Sequence, residues 1–302
     1  MGLVPGRAVR ERLRGHRGDP ARVCQLHAVR GGSAPVRGGA GRAVVARASD
    51  VGVPSVVRAV RILESVGRAA RPPSLGELAR ELGIPKSTAH DLVTTLVRER
   101  LLTRSADGRF RLGLKVLELY RAYDAASDLS GAFAEACQEL VPHHEETLVL
   151  SVLDGREVVY VACRNGTQPI AVNYRIGLRL PAHTTATGKA ILSTLAEDEV
   201  RALFGDAPLL RPTRHSIATL ESLLRELERT RARGYSVDDE ETVEGMCCFG
   251  APVVASGGRR AGVAFSMVKA RTKPARFREL GRQIQRIASA LSERLGGTRA
   301  GD

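Results

Sequence analysis

The feature that most constrains the fold is a pair of short amphipathic helices separated by a glycine turn. In both helices apolar residues recur at i, i+3, i+4 and i+7, the spacing of one helix face. These residues are Leu75, Leu78, Ala79 and Leu82 in the first helix and Ala89, Leu92, Val93 and Leu96 in the second. Ser74 and Glu77 have the spacing of a capping box, which marks where the first helix begins. Gly83-Ile84-Pro85 makes a tight turn between them, so the pair predicts a helix-turn-helix.

Elements on either side of the pair extend this prediction. An earlier amphipathic helix ends near Gly67, and its apolar face is Val56, Val60 and Leu63. After the pair, Asp107-Gly108 separates two short runs of alternating apolar residues, which is a strong hairpin signal. A hairpin directly after the second helix is a wing. The sequence therefore predicts a winged helix-turn-helix DNA-binding domain over residues 53–113.

Candidate DNA-binding side chains lie at the start of the second helix of the pair and on the wing. The first residues of a recognition helix reach base edges in the major groove, whereas lysine and arginine more often bind phosphates. Wing arginines suit phosphates or a minor groove. The candidates are Lys86, Ser87, Thr88, His90, Asp91, Arg104, Arg109 and Arg111. Each is alternatively an ordinary exposed residue, and Ser87 is the best placed to cap its helix.

The positive charge of the chain is concentrated in its first part. The 302 residues carry a formal net charge of +13. Residues 1–50 hold ten basic and three acidic side chains, residues 51–125 thirteen and eight, and residues 126–302 twenty-three and twenty-two. Such asymmetry indicates one part that binds a polyanion and another that binds something else. A generally basic surface is the alternative explanation.

Residues 1–50 have few large apolar side chains and no helical or strand period, so we predict a disordered basic tail. The tail is either an arm that touches DNA phosphates or an extension from an upstream start codon, and we favour the second, with Val51 or Val53 as the start. We find no signal peptide and no apolar run long enough for a transmembrane helix. Five cysteines, an odd number, fit a reducing compartment. We expect a cytoplasmic protein with no membrane partner.

A linker helix is predicted over residues 114–128 from the spacing of Leu114, Leu117 and Tyr120. Operators with two-fold symmetry need dimeric readers, so we expect this helix to pair with a second copy. Beyond it, predicted helices alternate with hairpins at Asp154-Gly155 and at residues 256–258, and with a strand over residues 170–174. This pattern predicts an α+β fold for residues 129–296.

Several motifs resemble those of IclR-type bacterial transcriptional regulators. In the first half they are residues 84–90 (IPKSTAH) and 110–113 (FRLG); in the second they are 181–183 (PAH), 186–190 (ATGKA), 234–241 (GYSVDDEE), 245–248 (GMCC) and 251–253 (APV). The resemblance covers residues 53–295. It implies a winged N-terminal domain and a GAF-like α/β effector domain that binds a small molecule, often an organic acid of a catabolic pathway. We expect a homodimer or a homotetramer that binds a double-stranded DNA operator.

The resemblance also implies an effector pocket. Its carried-over residues are Leu180, Ala186, Thr187, Gly188, Asp238, Met246, Cys248 and Ser266. The hydroxyl of Thr187 and the N–H groups of Gly188 and Lys189, at a helix start, would hold a carboxylate.

We expect three further pocket residues to contribute a hydroxyl group or apolar surface, and we expect a separate role for Asp238. Ser266 would offer a hydroxyl, and Leu180 and Met246 an apolar wall. Asp238 would repel an anionic effector, so we expect it to accept a hydrogen bond from a hydroxyl or to hold its own loop. For each of these residues, packing is the alternative to ligand contact.

Two residues depart from the family pattern. Asp91 stands where arginine is usual in the recognition helix, which favours reading cytosine in place of a phosphate or guanine contact. Arg100 stands where glycine usually follows that helix, so we expect an altered approach to the wing. Both departures concern the operator sequence and leave the DNA-binding prediction unchanged.

Signals for chemistry are weak, so we expect no catalytic residue, cofactor or metal. The cluster over residues 143–146 (HHEE), with Cys137 or Cys163, lacks the i, i+4 histidine spacing of a helical zinc site. Cys247-Cys248 is a redox pair or a nucleophile only if it is not part of the core. The expected function is a regulator, repressor or activator, under effector control. The alternatives are a metabolite-binding enzyme with an appended DNA-binding module and a ligand-free architectural DNA binder.

Overall fold

The computed structural model describes residues 52–142, 145–168 and 174–297. Its first part, here called the winged module, is a winged helix-turn-helix. It comprises α1 (Pro54–Arg68), α2 (Leu75–Leu82), α3 (Lys86–Arg98), β1 (Leu102–Arg104) and β2 (Phe110–Leu112). The tail predicted over residues 1–50 lies outside the described residues.

Local chemistry explains where α2 begins and ends. The N–H of Ser74 donates to the Glu77 carboxylate at 2.8 Å, and the N–H of Glu77 donates to Ser74 Oγ at 3.4 Å, which is the predicted capping box. Gly83 ends α2 with a φ of 65°, a left-handed conformation that glycine adopts without steric cost. The predicted apolar faces then meet in one core, which contains Ile62, Val66, Leu78, Val93, Leu96, Leu102 and Phe110.

Arg100, at the junction of α3 and the wing, adopts the left-handed conformation that a glycine would favour, with a φ of 61°. Its carbonyl oxygen packs against Gly113, where an added Cβ would lie 2.1 Å from it. The backbone at Arg100 therefore has the conformation of a glycine, which is sterically unfavourable for arginine. The expected departure at Arg100 is thus a matter of local strain, and the wing hairpin still forms.

The second part, here called the effector domain, is built on a six-stranded antiparallel sheet in the order β5-β4-β3-β8-β7-β6. The linker helix α4 (Lys115–Ser127) leads into it. Its elements are α5 (Leu129–Leu140), β3 (Thr147–Asp154), β4 (Glu157–Arg164), β5 (Arg179–Pro181), α6 (Ala186–Leu192), α7 (Glu197–Phe204), α8 (Leu220–Arg233), β6 (Ser236–Asp239), β7 (Met246–Val254), β8 (Arg260–Val268) and α9 (Phe277–Arg294). The α+β prediction is confirmed.

The two faces of the sheet are covered differently. Helices α5 and α9 pack on one face and form the largest apolar core. The short helix α6 lies on the other face, and all seven of its residues are buried. Its backbone comes close because the sheet carries glycines beneath it: an added Cβ at Gly250 would lie 2.6 Å from Ala186 O, and one at Gly262 would lie 2.5 Å from Thr187 O.

Some predicted elements differ from the structure. The strand predicted over residues 170–174 lies outside the described residues except for Tyr174, which belongs to no strand. Helix α7 and the edge strands β5 and β6 were not predicted. No helix within the described ranges is both long and apolar enough to cross a membrane.

Candidate DNA-binding face and ligand pocket

Helix α3 presents a polar face opposite its apolar one. Ala89, Val93 and Leu96 are buried in the winged module. On the other side, the side chains of His90 and Asp91 are 65% and 83% exposed, with His90 Nδ1 3.6 Å from Asp91 Oδ1. Lys86 and Ser87 are also exposed, and Thr88 is half-buried. The candidate base-reading residues therefore form one accessible surface at the start of the helix.

The N-cap of α3 is Pro85, whose carbonyl accepts from the Ala89 N–H at 3.0 Å. The expectation that Ser87 caps this helix is wrong, because Ser87 already lies within the first turn. Its hydroxyl is exposed and remains available to a partner.

The three wing arginines do not all face outward. Arg104 and Arg111 are exposed. The Arg109 guanidinium instead donates to Pro72 O at 2.9 Å and lies 3.1 Å from the Glu77 carboxylate. The prediction of an outward phosphate contact is therefore wrong for Arg109, which ties the wing to the start of α2.

The same contacts act on Glu77. Hydrogen bonds from the backbone and side chain of Ser74, with smaller contributions from Arg71 and Arg109, lower the pKa of Glu77 to about 2. The carboxylate therefore stays charged at the start of α2, where a negative charge also suits the helix dipole.

A small cavity lies between α6 and the sheet in the effector domain. It is lined by Val149, Tyr160, Tyr174, Thr185, Ala186, Thr187, Asp238, Thr242, Cys248, Ala264 and Ser266. Its free volume is about 10 Å³, which is room for about one water molecule. Five of the eight predicted pocket residues line the cavity: Ala186, Thr187, Asp238, Cys248 and Ser266.

The other three predicted pocket residues do not line the cavity. Met246 and Leu180 belong to the apolar cluster around it. Gly188 faces the preceding loop, where an added Cβ would lie 2.1 Å from Ala182 O, so its role is to permit close backbone packing. The contacts that the structure shows for these three residues are packing contacts, and their contact with an effector stays a prediction.

The predicted carboxylate cradle at the start of α6 is also wrong in part. Thr185 is the N-cap, and its hydroxyl accepts from the Gly188 N–H at 3.0 Å. Its carbonyl accepts from the Lys189 N–H, also at 3.0 Å. Neither N–H is therefore free for a ligand. Thr187 Oγ1, by contrast, is buried on the cavity wall and makes no hydrogen bond.

Two tyrosines that sequence reasoning missed complete the cavity. The rings of Tyr160 and Tyr174 lie 4.9 Å apart between centroids. The Tyr174 hydroxyl is 3.0 Å from Ser266 Oγ, and that oxygen is 3.3 Å from Cys248 Sγ. Burial raises the pKa of both phenols and of the Cys248 thiol well above their usual values. All of these groups are therefore neutral and able to donate a hydrogen bond.

Asp238 is almost fully buried, and its Oδ1 accepts from the N–H groups of Glu241 at 2.8 Å and of Thr242 at 3.2 Å. Of the two expectations for this residue, holding its own loop is therefore the one that the contacts show. Burial raises its pKa, and Lys189 opposes the shift.

The buried cation Lys189 serves this loop and does not serve the cavity. Its Nζ donates to Val237 O at 2.5 Å and to the Glu241 carboxylate. Burial nevertheless raises the pKa of Glu241 to about 7, against the pull of Lys189. Among the described residues that line the cavity, none is a cation.

The neighbouring cysteines divide between the two faces of β7. Cys247 lies in the core under α5 and α9, whereas Cys248 faces the cavity. His143 and His144, the histidines of the cluster that was weighed as a zinc site and not predicted to be one, lie outside the described residues. Within the described ranges there is no group of three His, Cys, Asp or Glu side chains placed to hold a metal.

The fold and the two sites define a class of protein. An exposed recognition helix with a wing is typical of proteins that read DNA, and a separate α+β domain with an interior cavity is typical of domains that bind a small molecule. Comparison with known families agrees: the description "Bacterial transcriptional regulator IclR C-terminal" matches residues 122–293, and "IclR helix-turn-helix domain" matches residues 55–106. The chain belongs to the IclR family of bacterial transcriptional regulators. It is a DNA-binding regulator under small-molecule control.

Individual relatives resemble the chain over nearly their whole length. The HTH-type transcriptional regulator XynR of Escherichia coli (strain K12) is 32% identical over 81% of this chain and 98% of its own. The solved structure of the Agobacterium tumefaciens repressor BlcR is 41% identical over 82% and 98%, with a TM-score of 0.53. An IclR homologue from Microbacterium hydrocarbonoxydans, solved with 4-hydroxybenzoate, shares the fold at 22% identity over 80% and 99%, with a TM-score of 0.71. The matched proteins are regulators, which favours that reading over an enzyme.

Proposed function

We propose that the chain is a cytoplasmic homodimer that reads a two-fold operator with α3 and senses a small organic acid in the cavity beside α6. The observation that carries the sensor half is Thr187 Oγ1, a fully buried hydroxyl on the cavity wall that lies near the Tyr160 phenol but makes no hydrogen bond of normal geometry. A buried polar atom without a partner is destabilising, so a ligand oxygen that pairs with it gains binding energy.

The cavity wall supports an acid or a hydroxylated compound as the ligand. The hydroxyls of Thr187, Ser266, Tyr160 and Tyr174 meet there, and hydroxyls donate to a carboxylate without needing a cation. The Asp238 oxygen nearest its own loop already accepts two N–H groups, which limits its repulsion of an anion. The 4-hydroxybenzoate held by the homologue belongs to the same chemical class.

The DNA-reading half is supported by exposure and charge. Lys86, Arg104 and Arg111 are exposed cations, which suits phosphate contacts. Ser87, His90 and Asp91 are exposed near the start of α3, and Thr88 beside them is half-buried. Lys86→Ala should weaken binding to every duplex and lower its salt slope by about one unit. His90→Ala should change sequence preference. If it left both affinity and preference unchanged, α3 would not be the recognition helix.

The dimer is supported by apolar side chains that the single chain leaves in water. Leu114, Leu117 and Tyr123 of the linker region and Val56 and Val60 of α1 are 47–71% exposed. Leu114 and Leu117 lie about one helical turn apart, and exposed apolar side chains with this spacing are typical of an interaction site. Leu117→Glu should reduce the mass measured by analytical ultracentrifugation. A variant that kept the wild-type mass would place the dimer contact elsewhere.

Calorimetric titration of the full chain with benzoate, 4-hydroxybenzoate, pyruvate and glyoxylate tests the sensor half. At least one acid should bind the wild type, and Thr187→Val, which replaces the hydroxyl by a methyl group, should weaken it about 3- to 100-fold. Thr194→Val is the matched control, because the Thr194 hydroxyl donates within its own helix end to Ile191 O at 2.7 Å. Equal affinity in Thr187→Val and wild type would place the ligand elsewhere.

A further inference from the structure

We infer that Tyr174 is an internal ligand of the cavity, and that the effector binds by displacing it with a planar ring that bears a hydroxyl group. Tyr174 lies in the cavity that the proposed function assigns to the effector, so the inference rests on that assignment. It adds the chemical class of the ring and a competitor built into the chain.

Tyr174 fills the space that a ligand needs. Its side chain is 6% exposed, its ring contacts Tyr160, and its hydroxyl meets Ser266 Oγ at 3.0 Å. With this ring in place, the remaining cavity holds about one water. A benzoate-sized molecule therefore enters only if a side chain leaves, because a close-packed interior cannot accommodate added volume without displacement.

Tyr174 is the ring that can leave most easily. Tyr160 lies within β4, paired on both sides, and most other lining residues lie on strands or on α6. Tyr174 belongs to no helix or strand. Among the described residues, its backbone makes two long contacts, from its N–H to Asn165 Oδ1 at 3.3 Å and from Cys163 Sγ to its carbonyl at 3.6 Å. Further along the described chain, the Gly177 N–H donates to Tyr160 O at 2.8 Å.

The phenol side chain of Tyr174 shows which chemistry its site would accept once Tyr174 has left. A planar ring would stack on Tyr160, and one hydroxyl would take the place of the Tyr174 hydroxyl on Ser266. Thr187 Oγ1, which Tyr174 leaves without a hydrogen bond, remains for a second polar group. Because the protein competes for its own site, the apparent affinity of the effector is its affinity for the vacated site multiplied by the fraction of time for which Tyr174 is out.

Removing the internal ligand and supplying phenol in solution tests the inference. Tyr174→Ala should bind phenol saturably, seen as a rise in melting temperature, while the wild type shows no rise at the same concentration. Phenol should bind this variant about fivefold more tightly than benzene, the value of one hydrogen bond. Tyr174→Ala with Ser266→Ala should lose that preference. Tyr123→Ala, which removes an exposed tyrosine, is the matched control and should not gain phenol binding.

Tyr174→Phe keeps the ring, so it is the variant to test with phenol if Tyr174→Ala does not fold. Losing the hydrogen bond to Ser266 should weaken the competitor, so phenol should bind Tyr174→Phe about 2- to 10-fold more tightly than it binds the wild type. Equal phenol binding by the wild type and the tested variant overturns the inference.

The outcomes also separate this inference from the proposed function. Suppose that phenol does not bind either variant, yet an acid still binds the wild type and loses affinity in Thr187→Val. The cavity is then a sensor site in which Tyr174 is no competitor. If phenol fills Tyr174→Ala with the Ser266 preference but no acid binds the wild type, the internal ligand stands and the proposed ligand class fails.

Discussion

The winged module and the effector domain place their polar groups in opposite ways. In the winged module the functional side chains, such as His90 and Asp91, face water and the core is apolar. In the effector domain Lys189, Asp238 and Thr187 are buried, and their partners decide what a ligand can contact. Reading DNA requires an accessible surface that is complete in one helix, whereas sensing a small molecule requires an interior assembled from distant strands.

The largest expected difference between the two regions concerns their lysine–glutamate pairs. Lys189→Ala should cost about 3–5 kcal/mol in the free energy of unfolding of the effector domain, because it leaves Glu241 buried and unpaired. Lys115→Ala, at the partly exposed pair of Lys115 with Glu118 in α4, should cost less than about 1 kcal/mol. Urea unfolding measures both. Adding Glu241→Gln to Lys189→Ala should recover part of the loss, and equal losses at the two lysines would remove the contrast between the regions.

The pH dependence of stability should also separate the regions. Burial raises the pKa of Glu241 from 4.5 to about 7, so the folded state holds a proton that the unfolded state has lost. Stability should therefore fall as the pH rises from about 4.5 to about 7, by about 1–3 kcal/mol. Glu77 has the opposite shift, to about 2, and its contribution is lost as the pH falls below about 4.5. Glu241→Gln should flatten the upper range alone; an unchanged curve there would contradict the assignment.

The wing arginines provide a smaller contrast within the winged module. Arg104→Ala should lower the salt slope of DNA binding by about one unit, because an exposed phosphate contact is lost. Arg109→Ala should leave that slope unchanged and cost about 1 kcal/mol in stability, because Arg109 is tied to Pro72 and Glu77. Fluorescence anisotropy at several salt concentrations and urea unfolding distinguish the two. A salt slope reduced equally by both variants would show that Arg109 turns toward DNA.

The smallest expected effect is a gain in stability. Arg100→Gly should stabilise the winged module by about 1 kcal/mol, because it relieves a left-handed non-glycine residue. The gain is limited by the loss of the contact from Arg100 to Glu118 at 3.3 Å and by the freer unfolded chain. A lower melting temperature would mean that these losses outweigh the strain.

Local signals predicted the winged module well because each of its elements is specified within a few residues. The capping box depends on Ser74 and Glu77, three residues apart, and the turn depends on Gly83 alone. The cap expected at Ser87 was wrong by two residues, since Pro85 is the N-cap. The position of Arg109 was wrong for another reason, since its partner Glu77 lies 32 residues away. No local pattern shows such a contact.

The cavity was predictable only in part for the same reason. Tyr174 meets Ser266 across 92 residues of sequence, and no spacing rule connects them. The Gly188 N–H was assigned to a ligand because a helix start resembles an anion site, but the neighbouring Thr185 already satisfies it. Strand β6 was missed because Ser236–Asp239 alternates few apolar residues. The family resemblance located the region, and the tertiary contacts decide which residues line the cavity.

A regulator of this kind couples its two regions through one chain. We would measure the affinity of the full chain for a fluorescent duplex from the DNA beside its own gene, with and without the acid that binds the wild type more tightly than Thr187→Val, at a concentration that saturates the wild type alone. Coupling predicts a change of about 5- to 150-fold, no change in Thr187→Val, and an equal effect of the duplex on the affinity for the acid. If the acid and the duplex both bind but neither changes the affinity for the other, the chain does not regulate DNA binding through this cavity.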